Sequence, residues 1–451
     1  MRIVKKVEEV VNSKIIKGNS VIYTAGNAAT PKVLLKQLAK DDQIKNVDLL
    51  SVLLLGDISE LFDKDVCERI THRVIFNGPH SRKAMNDGRV SYQMMHLSDI
   101  ARQLKESLHP NIVFLSVSGP DNGGNYSYGT TVEGVQAAIE TAKQNHGIVI
   151  AERNSQMPFV LGTTIHESEI DYLIESDYDL PNNPAEEPDH RALKIGEIIT
   201  ELYITEGSTL QYGIGEVPEA VTTSIINKGV KNLGIFTELF SDAMRRLVDK
   251  GLVTNKYLDA RFSRATIFLA NDKEGYKWYH LNSSVQSRPS NYTNSILKIA
   301  QQQKMTAING AMGVDFHGNI WADSLKARMI YSGIGGQADF LRGSYLSEGG
   351  RPIIAMKSTT DHGESKIVNL CPQGITTTAI AADPVIIVTE NGAFNPKGLN
   401  LAEHAIGIAH LASPEFRTNL LREIYESEVY HNPREALKDI SPKGFISYDQ
   451  I

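Results

Sequence analysis

The sequence predicts an α/β fold made of two similar open α/β domains with mostly parallel sheets. Short runs rich in Val, Ile and Leu recur along the chain, each followed by Gly or Pro and then a helical pattern. A set of landmarks in the first half returns in the same order in the second. Between the halves lies a stretch, 176–190, with three prolines and several acids, which has little to bury and reads as a surface linker.

Strand candidates cover 47–55, 112–116, 148–151, 233–237, 266–270, 353–356 and 385–389, and helix candidates 31–40, 132–145, 218–227, 294–303 and 401–411. Strands alternating with helices form parallel sheets covered on both faces. The repeat runs as follows. Thr24-Ala25-Gly26-Asn27 leads to Pro31, a helix and Lys45-Asn46-Val47. Roughly 190 residues later, Tyr212-Gly213-Ile214-Gly215 leads to Pro218, a helix and Lys231-Asn232-Leu233. Asp121-x-x-Gly124-Asn125 is echoed by Asp315-x-x-Gly318-Asn319. The expected domains are therefore 1–185 and 186–451, with the active site in the cleft between them.

The chain has 451 residues, 41% of them apolar and 22% charged, with a net charge of −7, so disorder, collagen and coiled coil are excluded. A mildly acidic chain lacks the electrostatic footprint of a nucleic-acid or anionic-membrane binder. The N-terminal segment carries acids among its valines and has no apolar h-region, and two cysteines are too few for a disulfide framework. A cytoplasmic protein without a membrane partner is expected. Thirteen histidines lie scattered without ligand spacing, so no metal is expected. H-E-x-x-H, C-x-x-C, G-x-S-x-G and Walker A patterns are all missing.

Two glycine-rich segments and one acid remain. In Leu210-Gln211-Tyr212-Gly213-Ile214-Gly215-Glu216-Val217-Pro218 a strand enters a glycine turn, and Pro218 suits the first helical position. Such a turn offers free N–H groups and a positive helix end to an anion. The strand at 233–237 ends on Glu238, and ligands of open parallel sheets sit beyond the carboxyl ends of the strands. Gly213, Gly215 and Glu238 then admit two readings: a dinucleotide site whose acid holds a ribose, weakened by Pro218 in place of the third glycine, or a nucleophilic carboxylate beside backbone donors. A helix-capping role for Glu238 is the plain structural alternative, since Ser241-Asp242 looks like a helix start. The second segment, Gly333-Ile334-Gly335-Gly336-Gln337-Ala338-Asp339-Phe340, suggests a backbone that approaches a ligand closely.

At these residues the sequence resembles the acetyl-CoA hydrolase/transferase family of class I coenzyme A transferases, in the branch of the 4-hydroxybutyrate, butyrate and itaconate CoA-transferases. The carrying motifs are Leu210 through Pro218, Phe236-Thr237-Glu238-Leu239-Phe240-Ser241-Asp242 and Gly333 through Gly343. Gly78-Pro79, Ser118-x-Pro120-Asp121, Met157-Pro158 and Thr389-Glu390-x-Gly392 extend the likeness over nearly the whole chain. The resemblance implies a transfer of CoA from an acyl-CoA to a small carboxylic acid. Glu238 would carry it through an acyl-glutamyl anhydride and a glutamyl-CoA thioester.

It further implies Gly336 at the reacting centre, and Gly213, Ile214, Gly215, Glu216, Val217, Gly335 and Gln337 around CoA and the oxyanions. Coenzyme A would be a substrate, with no permanently bound cofactor, in a homodimer or dimer of dimers. An acyl-CoA hydrolase of the same fold is the rival reading. Two departures bear on the acceptor: Phe236 stands where many relatives carry His, and the segment 389–396 strays from the family's continuation.

Overall fold

The computed structural model describes residues 1–327, 329–430 and 442–451. Five strands form the centre of the first sheet: β1 (Val21–Thr24), β2 (Val47–Ser51), β3 (Ile112–Val117), β4 (Ile148–Asn154) and β5 (Tyr172–Ser176). They lie in the order β5-β4-β3-β1-β2, and all neighbours are parallel. Strand Arg2–Val4 flanks β5, and Ile70–Val74 and Ser91–Tyr92 extend the sheet beyond β2.

The second sheet is built from β6 (Thr209–Tyr212), β7 (Gly234–Ile235), β8 (Met305–Asn309), β9 (Arg351–Ala355) and β10 (Ile386–Thr389). Their order is β10-β9-β8-β6-β7, again parallel throughout, the same permutation as in the first sheet. Two antiparallel strands, Gly392–Phe394 and Phe445–Ser447, follow β10 at the edge.

The repeat reaches atomic detail. Oδ1 of Asp121 accepts from the N–H groups of Gly123 and Asn125, both at 2.8 Å. Oδ1 of Asp315 accepts from those of His317 and Asn319 at 3.0 and 2.9 Å. Asn46 and Asn232, one before each second strand, share a left-handed backbone with φ of 57° and 58°.

Burial on both faces follows from the alternation of side chains along each strand. Ile22, Leu49 and Phe114 face one apolar cluster, while Tyr23, Leu50 and Val113 face another on the opposite side of the sheet. In the second sheet Ile353 and Ile386 point one way and Ile354 and Ile387 the other. One cluster is shared between the halves, with Ala28, Met157, Val160 and Leu180 packed beside Leu210, Phe240 and Phe268. Backbone bonds cross there too, from Phe268 N–H to Thr130 O at 2.8 Å and from Val132 N–H to Thr266 O at 2.9 Å. Among the described residues no helix is long and apolar enough to cross a membrane, and Cys67 and Cys371 are both free.

Several expected elements differ, and the strands at 47–55 and 233–237 shorten to Val47–Ser51 and Gly234–Ile235. The helix expected at 218–227 runs Glu216–Lys228, so Pro218 is its third residue, not its first. The first turn of a helix leaves its N–H groups without intrahelical acceptors, so a proline is tolerated there as well. The helix expected at 294–303 breaks into Ser290–Thr293 and Ile296–Ala300, with Asn294 at the break and Ser295 capping the second piece. The strand at 266–270 shortens to Ile267–Leu269 and pairs with Leu239–Ser241 outside both main sheets.

Candidate active site

Glu238 sits where the chain leaves the second sheet after β7 and enters the small ladder at Leu239. Its carbonyl accepts from the N–H groups of Thr266 and Ile267 at 3.1 and 3.0 Å, which fixes the backbone at the crossing. The side chain reaches a cavity of about 470 Å³, lined also by the loop 211–218, Asn309-Gly310-Ala311 and Ala355-Met356-Lys357. The lining belongs to the second half of the chain, and the first half closes in behind it, where Phe76 packs against Gly333 and Gly335.

One side-chain donor holds the Glu238 carboxylate. Asn294 Nδ2 donates to Oε2 at 2.7 Å, and the Gly336 backbone lies beside the carboxylate. Thr293 Oγ1 donates to Asn294 Oδ1 at 2.8 Å, which turns the amide so that its NH₂ faces Glu238. A Cβ on Gly336 would lie 2.0 Å from Glu238 Oε2 and 2.1 Å from Asn294 Nδ2, so any other residue would push these two side chains out of place. Burial pushes the Glu238 carboxyl up to about 7; the hydrogen bond from Asn294 opposes this and nearby Asp339 adds to it.

A second acid, Glu133, stands behind. It is fully buried, accepts from Asn27 Nδ2 at 2.6 Å, and its backbone is left-handed with φ of 40°. Burial and then the charge of Glu238 raise it to about 8, so it is largely protonated at neutral pH. Its main chain ties both partners of the site together. The Glu133 N–H donates to Thr266 Oγ1 at 2.9 Å, and its carbonyl accepts from Ser290 N–H, at the start of the short helix that leads to Asn294.

The glycine turn opens onto the same cavity. Gly213, Ile214, Gly215, Glu216 and Val217 all line it. Gly215 caps the helix with φ of 109°, a conformation that calls for glycine. Gly335 and Gln337 stand one step back, away from the cavity wall. The Gly335 carbonyl accepts from Leu97 N–H at 3.1 Å, and Gln337 Nε2 donates to the carbonyl of Gly310 at 2.7 Å, bracing a residue of the wall. Phe236 is fully buried against Ile299, Met305, Ala307 and Phe340, apart from the cavity.

The residues that sequence reasoning missed are Asn294, Glu133 and Asp339. An Asn-Ser pair inside an expected helix is a weak signal of a break, because both residues favour caps over helix interiors. Glu133 carries no such signal; only the tertiary structure buries it.

The N-terminal domain profile of the acetyl-CoA hydrolase/transferase family matches residues 1–180, and its C-terminal domain profile matches residues 272–424. The 4-hydroxybutyrate coenzyme A transferase of Clostridium kluyveri is 33% identical over 413 residues, covering 90% of this chain and 94% of the relative. The chain belongs to the acetyl-CoA hydrolase/transferase family. It is an enzyme of the acyl-CoA:carboxylate CoA-transferase type. A second relative, the succinyl-CoA:acetate/propanoyl-CoA:succinate CoA transferase of Fasciola hepatica, is 32% identical over 91% of this chain and 86% of its own. Among solved structures, RipA from Yersinia pestis superposes with a TM-score of 0.85 at 29% identity, over 93% of this chain and 96% of that one. The 4-hydroxybutyrate CoA-transferase of Porphyromonas gingivalis gives 0.78 at 26% identity, over 94% and 97%. Membership of this family replaces the dinucleotide reading of Gly213, Gly215 and Glu238.

Proposed function

We propose that the enzyme moves CoA from a short acyl-CoA to a small carboxylic acid of the size of butyrate, 4-hydroxybutyrate or itaconate, with Glu238 as the covalent carrier. The observation that carries this is a carboxylate at the cavity wall, held by Asn294 Nδ2 and flanked by the Gly336 backbone, where a Cβ would press on both side chains. The names of the two curated relatives support the substrate class.

A Glu238 oxygen attacks the donor thioester carbonyl; the C–S bond breaks, and CoA leaves as thiolate from an acyl-glutamyl anhydride. The thiolate attacks the glutamyl carbonyl carbon, expelling the donor acid as carboxylate and leaving a glutamyl-CoA thioester. The acceptor carboxylate then displaces CoA thiolate from that carbon, and the thiolate attacks the acceptor acyl carbonyl. Acceptor acyl-CoA departs and the Glu238 carboxylate returns. No proton moves in any step, so the chemistry asks for no general base, and among the described residues no histidine lines the cavity.

Asn294 and Gly336 supply the donors for the negative oxygens that form at Glu238, each typically worth about 3–4 kcal/mol in such sites. Gly335 and Gln337 support that loop and the opposite wall, and 213–217 receive the CoA arm. A carboxylate of raised basicity, poor in water contacts, is a stronger nucleophile than an exposed one. In this reading 1–185 and 186–451 form the two domains, and the protein works in the cytoplasm as a homo-oligomer. Incubation with acetyl-CoA and no acceptor, followed by intact mass spectrometry, tests the proposal. The protein should gain the mass of CoA less water, and Glu238→Gln should gain nothing; full activity in Glu238→Gln would refute it.

A further inference from the structure

Two cationic side chains line the cavity that holds Glu238, and their surroundings differ. Lys357 Nζ is neutralised twice, by Asp189 at 3.0 Å and by Glu216 of the glycine turn. Lys366 has no carboxylate within 4.0 Å among the described residues, although it is partly buried. The acids nearest to it are engaged elsewhere. Glu390 accepts from Ser358 N–H at 2.9 Å and from Ser358 Oγ at 2.6 Å, and the largely exposed Asp361 faces Arg191 at 3.8 Å.

The backbone of Lys366 is fixed. Its N–H donates to Ser358 O at 2.9 Å, its carbonyl accepts from Val314 N–H at 3.0 Å, and strand Ile367–Val368 follows directly. Burial pushes the ammonium below its ordinary range; the charges of Asp361 and Glu390 oppose this, and those of Lys357 and Arg191 add to it. A partly desolvated cation with no carboxylate in contact is costly to hold. Placed on a rigid support at the wall of a reaction cavity, it marks a position where a ligand brings the missing negative charge.

Building on the transferase reading, we propose that Lys366 binds an oxyanion of the substrate that takes no part in bond making. In such a reaction both substrates are anions, and the reacting carboxylate is committed to Glu238. What remains for Lys366 is the second carboxylate of a dicarboxylic acid or a phosphate of the CoA nucleotide. Both present the same chemistry to an ammonium group, and substrate variation separates them.

Steady-state kinetics of Lys366→Gln, with butyrate and succinate as acceptors and with acetyl-CoA and acetyl-pantetheine as donors, test this. If the oxyanion is a carboxylate, KM for succinate rises at least ten-fold while butyrate is unchanged. If it is a phosphate, KM for acetyl-CoA rises at least ten-fold while kcat/KM for acetyl-pantetheine is unchanged. In either case Lys366→Arg restores most of the loss. Values within two-fold of wild type for all four substrates overturn the proposal. The thermal midpoint of Lys366→Gln should equal or exceed that of wild type, since an unpaired buried charge has been removed.

Calorimetric titration of CoA and of succinate into Glu238→Gln, with and without Lys366→Gln, reads the subsite apart from the covalent chemistry. A ten-fold loss of affinity for one of them upholds Lys366 even if Glu238 proves not to be the carrier. Unchanged affinity for both overturns it even if Glu238 is.

Discussion

Asn294 Nδ2 lies 2.7 Å from Glu238 Oε2, joining a residue at a helix break to one at a crossing between sheets, 56 positions earlier in the chain. In the proposed mechanism the amide would donate wherever negative charge sits on Glu238, serving the resting carboxylate and each tetrahedral oxyanion in turn. Removing it should lower kcat by about 10²-fold. Asn294→Ala assayed under saturating substrates checks this, and a change below three-fold would dismiss the role.

Gly336→Ala should be more damaging to turnover than to folding. The added Cβ would meet Glu238 and Asn294 at about 2 Å, in a part of the site where the side chains, not the backbone, have to yield. We expect kcat to fall by at least about 10²-fold, the scale of one lost oxyanion donor, with a thermal midpoint close to that of wild type. Comparing the two measurements decides whether this glycine serves chemistry or packing.

The pH profile should follow Glu238. Only the ionised carboxylate attacks, so kcat/KM should rise with pH and reach half its plateau near 7. Asp339→Asn removes a charge that raises this group and should move the midpoint down. Asn294→Ala removes a bond that lowers it and should move the midpoint up. Shifts in the reverse directions would mean that another group controls the profile.

Stability should fall as the solution becomes alkaline. Glu133 and Glu238 are both raised above the usual carboxylate range when folded, to about 8 and about 7. Each therefore favours the folded state fully below about pH 4.5, its ordinary value, and loses that contribution as pH climbs through its folded value. The thermal midpoint should decline between about pH 4.5 and 8, and Glu133→Gln, which cannot ionise, should flatten the decline.

Much of this was legible in the sequence, for reasons that can be named. The two sheets show themselves because parallel strands are buried on both faces, as Ile22 and Tyr23 are, and so read as continuous apolar runs. The repeat shows because Asp121 and Asp315 shape their turns with bonds only two and four residues long, and local chemistry writes itself into local sequence. Glu238 and the glycine turn, which the structure brings to one cavity, also stand out from local sequence.

Asn294, Asp339 and Glu133 were not, because each acts across a distance that no window spans. Asn294 reaches back to Glu238; Asp339 accepts from Ser98 Oγ at 2.8 Å, a residue in the other half; Glu133 is held by Asn27. The start of the helix at Glu216, ahead of Pro218, shows the limit of propensity, since a first turn admits proline at more than one place.

The apolar cluster that Ala28, Met157, Val160 and Leu180 share with Leu210, Phe240 and Phe268 has a consequence for how the protein comes apart. Neither repeat can loosen without baring side chains that the other keeps dry. A cut within 177–190 should therefore leave two fragments that travel together on a sizing column, and heating should melt the pair in a single transition. The duplication visible in the strand order would then behave as one cooperative body, and the proposed exchange of two acids and one thiol would run by traffic of the ligands through a standing frame.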